Sequence, residues 1–239
     1  SRDSGAAVLK VTGQMGIDAP SESINLAVVD PKAHFLRHFQ RSLARAGITL
    51  SPGNELVQQQ ERQSTLGLRE IAFVVSPPLS ELLVETNQQS NNLYAEALLR
   101  ILGVRVQLTP TTRSTAEIGL QNVKETLTTL GVDPTGYVLA DGSGLSRQNL
   151  ASPVAIAQTL RVMANSPLAT VYRTSLPIAG VSGTLKSRFQ GTTAQGIVLA
   201  KTGTMSGVVA LSGYINSPNY EPLVFSIIVN QSDQPTSVL

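Results

Sequence analysis

The sequence predicts a mixed α/β fold in which a sheet carries helices and a helical lobe stands beside it. Three observations predict this. Strand-like alternation appears near the N-terminus, helical periodicity fills the middle, and apolar strand patterns close the chain. Of 239 residues, 41% are hydrophobic and 14% charged, enough apolar content for a sizeable core.

Between Ala6 and Val29, AVLKVTG and INLAVV alternate around a loop at DAPSES, which predicts strand pieces joined by turns. Asp30 caps the next element, Pro31 suits its first turn, and Phe35, Leu36, Phe39 and Leu43 form an apolar stripe before Gly47 ends the helix. The polar stretch SPGNELVQQQERQSTLG is a connector, and Ile71 to Val75 has the pattern of a short strand. Two helices follow, SELLVETNQQ and NNLYAEALLRILG, the second with Gly103 as its stop. Ser114 caps an amphipathic helix that runs to Gly131. YVLA is a short strand, DGSGLSRQN is turn-rich, and Ser152-Pro153 opens a helix through Met163. The last third changes period. LAKTGTM reads as a strand that turns back on itself, and VVALSGYI pairs antiparallel with PLVFSIIVN across a turn at NSPNYE.

Composition excludes several functions. Cysteine is absent, which removes disulfides, thiolate metal sites and a cysteine nucleophile. A formal charge of +2, five Phe, five Tyr and no Trp give neither the clustered cations nor the stacking platforms of a nucleic-acid binder. The best apolar run, Leu223 to Val229, is strand-sized and too short for a membrane span. The opening SRDSGAAVLKV has no signal-peptide pattern, so we expect a removed targeting segment or a start partway through a longer protein.

Lys201-Thr202-Gly203-Thr204 is the strongest chemical signal. A lysine on a strand of small residues, followed by glycine, offers a cation beside an open backbone edge. Ammonium and hydroxyls together hold a carboxylate. A lysine that guards an edge strand against aggregation fits the same pattern. Ser90-Asn91-Asn92 precedes an apolar helix and reads first as a helix cap. His34 and His38, the only histidines, lie four apart but share a stripe with Arg41 and Arg45 that would repel a cation, so we assign no metal. Asp141-Gly142-Ser143-Gly144 is a turn that fits neither a dinucleotide fingerprint nor a phosphate loop. No Gly-x-Ser-x-Gly elbow occurs. Glu81, Glu85 and Glu96 are spaced as helix-surface charges and form no glycosidase dyad.

Ser90-x-Asn92 and Lys201-Thr202-Gly203, in that order, are two of the three motifs of penicillin-binding proteins and serine β-lactamases. The longer stretches SPPLSELLVETNQQSNNLYAEALLRILG, YVLADGSGLSRQNLASP, GIVLAKTGTMSGVVALSGYI and DPKAHFLRHFQRSLARAGI closely resemble the D-alanyl-D-alanine carboxypeptidase/endopeptidase family, the class C low-molecular-mass penicillin-binding proteins. The resemblance covers nearly the whole chain. It implies a β-lactamase/transpeptidase-like fold, an antiparallel sheet flanked by helices with a helical lobe. It implies that residues 1–67 are the end of an inserted accessory domain with its connector, and that 68–239 are the C-terminal part of the catalytic domain.

The resemblance also implies chemistry. Substrates would be peptidoglycan stem peptides ending in D-Ala-D-Ala, with β-lactam antibiotics as mimics, no cofactor, and a periplasmic or extracytoplasmic location. Ser90 would relay a proton to the leaving nitrogen, and Asn92 would bind substrate backbone. Lys201, Thr202 and Thr204 would hold the terminal carboxylate, Gly203 would keep the strand edge open, and the Thr204 N–H would supply half an oxyanion hole. One departure stands out. The family's serine nucleophile lies in Ser-x-x-Lys, and the residues three before Lys10, Lys32, Lys124, Lys186 and Lys201 are Ala7, Val29, Gln121, Gly183 and Val198. We therefore expect the nucleophile on an N-terminal part of the same protein outside this chain. A non-catalytic peptidoglycan-binding homologue, and a β-lactamase or esterase on the same scaffold, are the alternatives.

Overall fold

The computed structural model describes residue 10, residues 12–14, 16–18, 28–49, 73–107 and 111–231. The chain divides into two compact units, Ser1–Ile71 and Ala72–Leu239. The predicted strand pieces of Ala6–Val29 and the connector at residues 51–67 lie largely or wholly outside the described residues.

In the first unit, α1 spans Pro31–Arg45. The Asp30 carboxylate accepts from the Ala33 N–H at 2.9 Å, Pro31 stands where its missing N–H costs nothing, and Gly47 follows at φ 77. His34 and His38 stand side by side with ring centroids 4.4 Å apart.

The second unit opens with residues 73–78, which belong to no helix or strand. The described part of the expected strand at Ile71–Val75 leaves Phe73, Val74 and Val75 exposed. A strand needs a partner, and these residues pair with none of the described strands. Helices α2 (Leu79–Gln88), α3 (Asn92–Val106) and α4 (Thr115–Thr129) follow. Ser114 and Glu117 close a full capping box on α4.

Helix α3 runs through Gly103 rather than stopping there. A Cβ at Gly103 would collide with the Thr115 carbonyl oxygen of α4. The glycine serves the close approach of two helices, which outweighs its poor helix propensity.

A short antiparallel pair, β1 (Tyr137–Val138) and β2 (Leu150–Ala151), encloses the turn-rich segment. Helix α5 (Pro153–Ala164) starts at a Ser152 cap, and α6 (Ala169–Ser175), a helix not predicted from the sequence, precedes the main sheet. That sheet is antiparallel in the order β3 (Val198–Met205), β4 (Val208–Ile215), β5 (Leu223–Asn230). Ala200, Ala179, Leu185 and Val198 form one buried cluster, and Leu160, Leu176 and Tyr214 another. The Tyr214 hydroxyl donates to the Leu160 carbonyl at 2.8 Å, tying β4 to α5. Burial, reinforced by Tyr172, pushes that phenol up to about 12, so it stays a neutral donor. Each fully buried leucine here contributes about 1.5–3 kcal/mol. This packing anchors β3, whose Lys201 reaches Ser90 between α2 and α3.

Candidate active site

Two helix ends and one strand border a cleft of about 630 Å³. Helix α2 ends at Gln88, Gln89 is its C-cap, and Ser90 follows at φ 55. The Asn91 N–H donates back to the Thr86 carbonyl at 3.1 Å, the bond that closes a helix around a left-handed residue. Glycine is usual at such a position, and a side chain there costs about 1–2 kcal/mol. Asn91 then caps α3, accepting from the Tyr94 N–H at 3.2 Å, while its amide nitrogen donates to Glu85 at 3.1 Å. The cap is thus the middle residue of the Ser-Asn-Asn triplet. Ser90 and Asn92 are left lining the cleft.

Lys201 meets them from β3. Its ammonium donates to Ser90 Oγ at 2.8 Å and to the Thr202 carbonyl at 2.7 Å. An ammonium has no lone pair, so Ser90 must be the acceptor in the first bond. The serine's own proton is therefore free to point into the cleft. Burial pushes the Lys201 ammonium down from the ordinary lysine value. No carboxylate among the described residues pairs with it. The cation is desolvated and uncompensated, which suits an incoming anion.

Backbone parity on β3 adds donors. Ala179 N–H donates to the Val198 carbonyl at 2.9 Å, and Ala200 N–H to the Pro177 carbonyl at 3.0 Å, on the side of β3 away from β4. Successive strand residues point their N–H groups to alternate sides, so Thr202 and Thr204 share that outer edge. Gly203 between them carries no side chain, and a Cβ there would meet Ala210 of β4 at 3.4 Å. The edge-guard reading of Lys201 gives way here, because its side chain bonds inward to Ser90 rather than standing in solvent.

The far wall is the loop from Asp141 to Asn149. Asp141 accepts from the Gly144 N–H at 2.7 Å, the Ser146 N–H at 2.7 Å and the Asn149 amide at 2.8 Å. Partial burial raises its pKa, but the bonds from Asn149, Ser146, Gly144 and Ser143 outweigh that and hold the carboxyl below the usual range. Glu96, read from sequence as a surface charge, accepts from the N–H groups of Gly142 at 2.8 Å and Ser143 at 3.3 Å. It ties the loop to the helix that presents Asn92. Arg147 reaches the Ser206 carbonyl at 3.2 Å, linking the loop to the turn after β3. Only the Asp-Gly-Ser-Gly turn was legible; its partners on α3 and in the turn after β3 carry no local signal. Among the described residues no cluster of His, Cys, Asp and Glu could hold a metal ion.

Residues 1–238 match the family model described as D-Ala-D-Ala carboxypeptidase 3 (S13) family. A D-alanyl-D-alanine carboxypeptidase from Actinomadura sp. (strain R39) is 38% identical over 243 residues, covering 98% of this chain and 43% of that protein. The crystal structure of penicillin binding protein 4 from Haemophilus influenzae, complexed with a novel β-lactam, superposes with a TM-score of 0.74 at 29% identity, over 88% of this chain and 47% of that one. A class A β-lactamase from a Bacteroides cellulosilyticus strain shares the fold, with a TM-score of 0.50 at 21% identity, over 67% of this chain and 57% of that one. The chain spans less than half the length of the curated relatives it matches.

Proposed function

The chain belongs to the D-Ala-D-Ala carboxypeptidase 3 (S13) family, and on that footing we propose that it forms the carboxylate-reading part of a serine-type D-Ala-D-Ala carboxypeptidase acting on peptidoglycan stem peptides. The observation that carries this reading is the 2.8 Å bond from Lys201 to Ser90 in a cleft bordered also by Asn92 and the outer edge of β3.

The chemistry follows from the groups present. A stem peptide laid along the edge of β3 brings its terminal carboxylate to the Lys201 ammonium and the hydroxyls of Thr202 and Thr204. A serine outside these residues attacks the penultimate carbonyl, since no Ser-x-x-Lys occurs in the 239. The oxyanion takes one hydrogen bond from the Thr204 N–H and the other from the attacking serine's own N–H. Ser90 passes its free proton toward the departing D-alanine nitrogen, and the Asn92 amide holds the substrate backbone. The ammonium thus acts twice, on the carboxylate and on the orientation of Ser90.

The same site would take the cross-linked form of the stem peptide, which adds endopeptidase activity, and β-lactams, whose carboxylate and strained amide copy the dipeptide. Residues 1–67 are read as the end of an accessory domain and 68–239 as part of the catalytic one. The substrate sets the location as periplasmic or extracytoplasmic. No helix among the described residues is long and apolar enough to cross a membrane.

D-alanine release from an acyl-D-Ala-D-Ala peptide by the complete natural polypeptide tests the reading. The 239-residue chain alone should release none. Peptide binding without release by the complete polypeptide would favour the non-catalytic homologue, and rapid turnover of a β-lactam would favour the β-lactamase.

A further inference from the structure

Thr184 stands in a 3₁₀ turn, Gly183–Leu185, that the proposed mechanism does not use. Its hydroxyl lies 2.7 Å from the hydroxyl of Thr202, with either oxygen able to donate. The turn is built firmly. Leu185 is fully buried, and its carbonyl accepts from the Gly180 N–H at 3.0 Å. Gly183 adopts φ 57, and a Cβ there would sit 2.8 Å from the carbonyl oxygen of Gln88, in the last turn of α2. The segment before it is laced to β3 by the bonds at Pro177 and Ala179. Thr184 is therefore held between the helix that leads to Ser90 and the strand that bears Lys201, yet its side chain stays exposed.

Two hydroxyls in one hydrogen bond use one proton between them and leave the other spare. In the isolated pair that spare proton belongs to either residue. An anion at Thr202 removes the degeneracy, because the favoured arrangement has Thr184 donating to Thr202 and Thr202 donating to the anion. Hydrogen bonds in series polarise one another, which strengthens the outer donor.

We infer that Thr184 is a positioning residue of the carboxylate site: its hydroxyl commits the Thr202 proton to the substrate's terminal carboxylate. This inference rests on the function proposed above. Lys201 supplies the charge, and the threonine pair supplies direction.

The test uses the complete polypeptide and two peptide thioesters, one whose leaving group ends in a carboxylate and one in which that carboxylate is an amide. In Thr184→Val the preference for the carboxylate thioester, as the ratio of kcat/KM values, should fall about five- to tenfold, mostly through KM. Thr184→Ser should restore it. An unchanged ratio in Thr184→Val, or a loss shared equally by both thioesters, would overturn the inference and leave the carboxypeptidase reading standing. Wild-type protein that turns over neither thioester would overturn both.

Discussion

The Lys201 ammonium and the Ser90 hydroxyl meet at 2.8 Å across 111 residues of chain. The contact is held from both sides. Ser90 is fixed by the left-handed end of α2, and Lys201 by a strand whose neighbours Ala200 and Val198 are buried. Neither group is free to drift, so the pair is organised before a ligand arrives.

The backbone at Ser90 separates stability from function. Ser90→Ala keeps the strained φ and loses the hydroxyl, whereas Ser90→Gly loses the hydroxyl and relieves the strain. Thermal or urea unfolding of the complete polypeptide should place Ser90→Gly about 1 kcal/mol above Ser90→Ala. Both should lose D-alanine release. Equal stabilities would contradict the strain.

Partial burial holds the Lys201 ammonium below the ordinary lysine value of 10.5. Carboxylate binding needs the protonated form, so KM should climb as pH rises through the lowered pKa, earlier than an exposed lysine would allow. Lys201→Arg, charged throughout, should show no such climb. The stability sign is opposite. Between the lowered pKa and 10.5 the unfolded chain holds more protons than the folded one, so stability should rise with pH across that window. Lys201→Met should flatten the rise in pH-dependent unfolding.

Glu96 joins α3 to the loop wall through two backbone N–H groups. Glu96→Ala should cost about 1.5–3 kcal/mol and raise KM, since the freed loop no longer shapes the cleft. Glu96→Gln keeps an acceptor oxygen and should recover most of both. Melting temperatures and KM of the two variants check this.

Gly103 permits the contact of α3 with α4. Gly103→Ala places a methyl against the Thr115 carbonyl and should destabilise by about 3 kcal/mol or more, although alanine is the better helix former. A stabilised Gly103→Ala variant would show that the helices part freely.

These residues also mark what the sequence made legible. Asp30, Ser114 and Ser152 announce their helices because a cap bonds within three residues, and the alternation of β4 and β5 is equally local. Gly103 misleads for the opposite reason: its partner is Thr115 on another helix, and propensity alone makes it a stop. Ser90-Asn91-Asn92 reads as a cap, and one residue of it is. That Ser90 and Asn92 escape capping depends on Asn91 turning to Tyr94 and Glu85, which the triplet does not encode. The Lys-Thr-Gly strand and its hydroxyls were legible as a candidate site. Glu96 and Thr184 were not, since each acts through a partner 46 or 18 residues away.

Labelling by a fluorescent penicillin tests the central claim most directly. The complete polypeptide should form a covalent adduct, and Lys201→Ala should slow its formation by at least about a hundredfold, because in the proposed function one partly buried cation serves both the drug's carboxylate and Ser90. No adduct on the wild-type polypeptide, or equal labelling of Lys201→Ala, would contradict it.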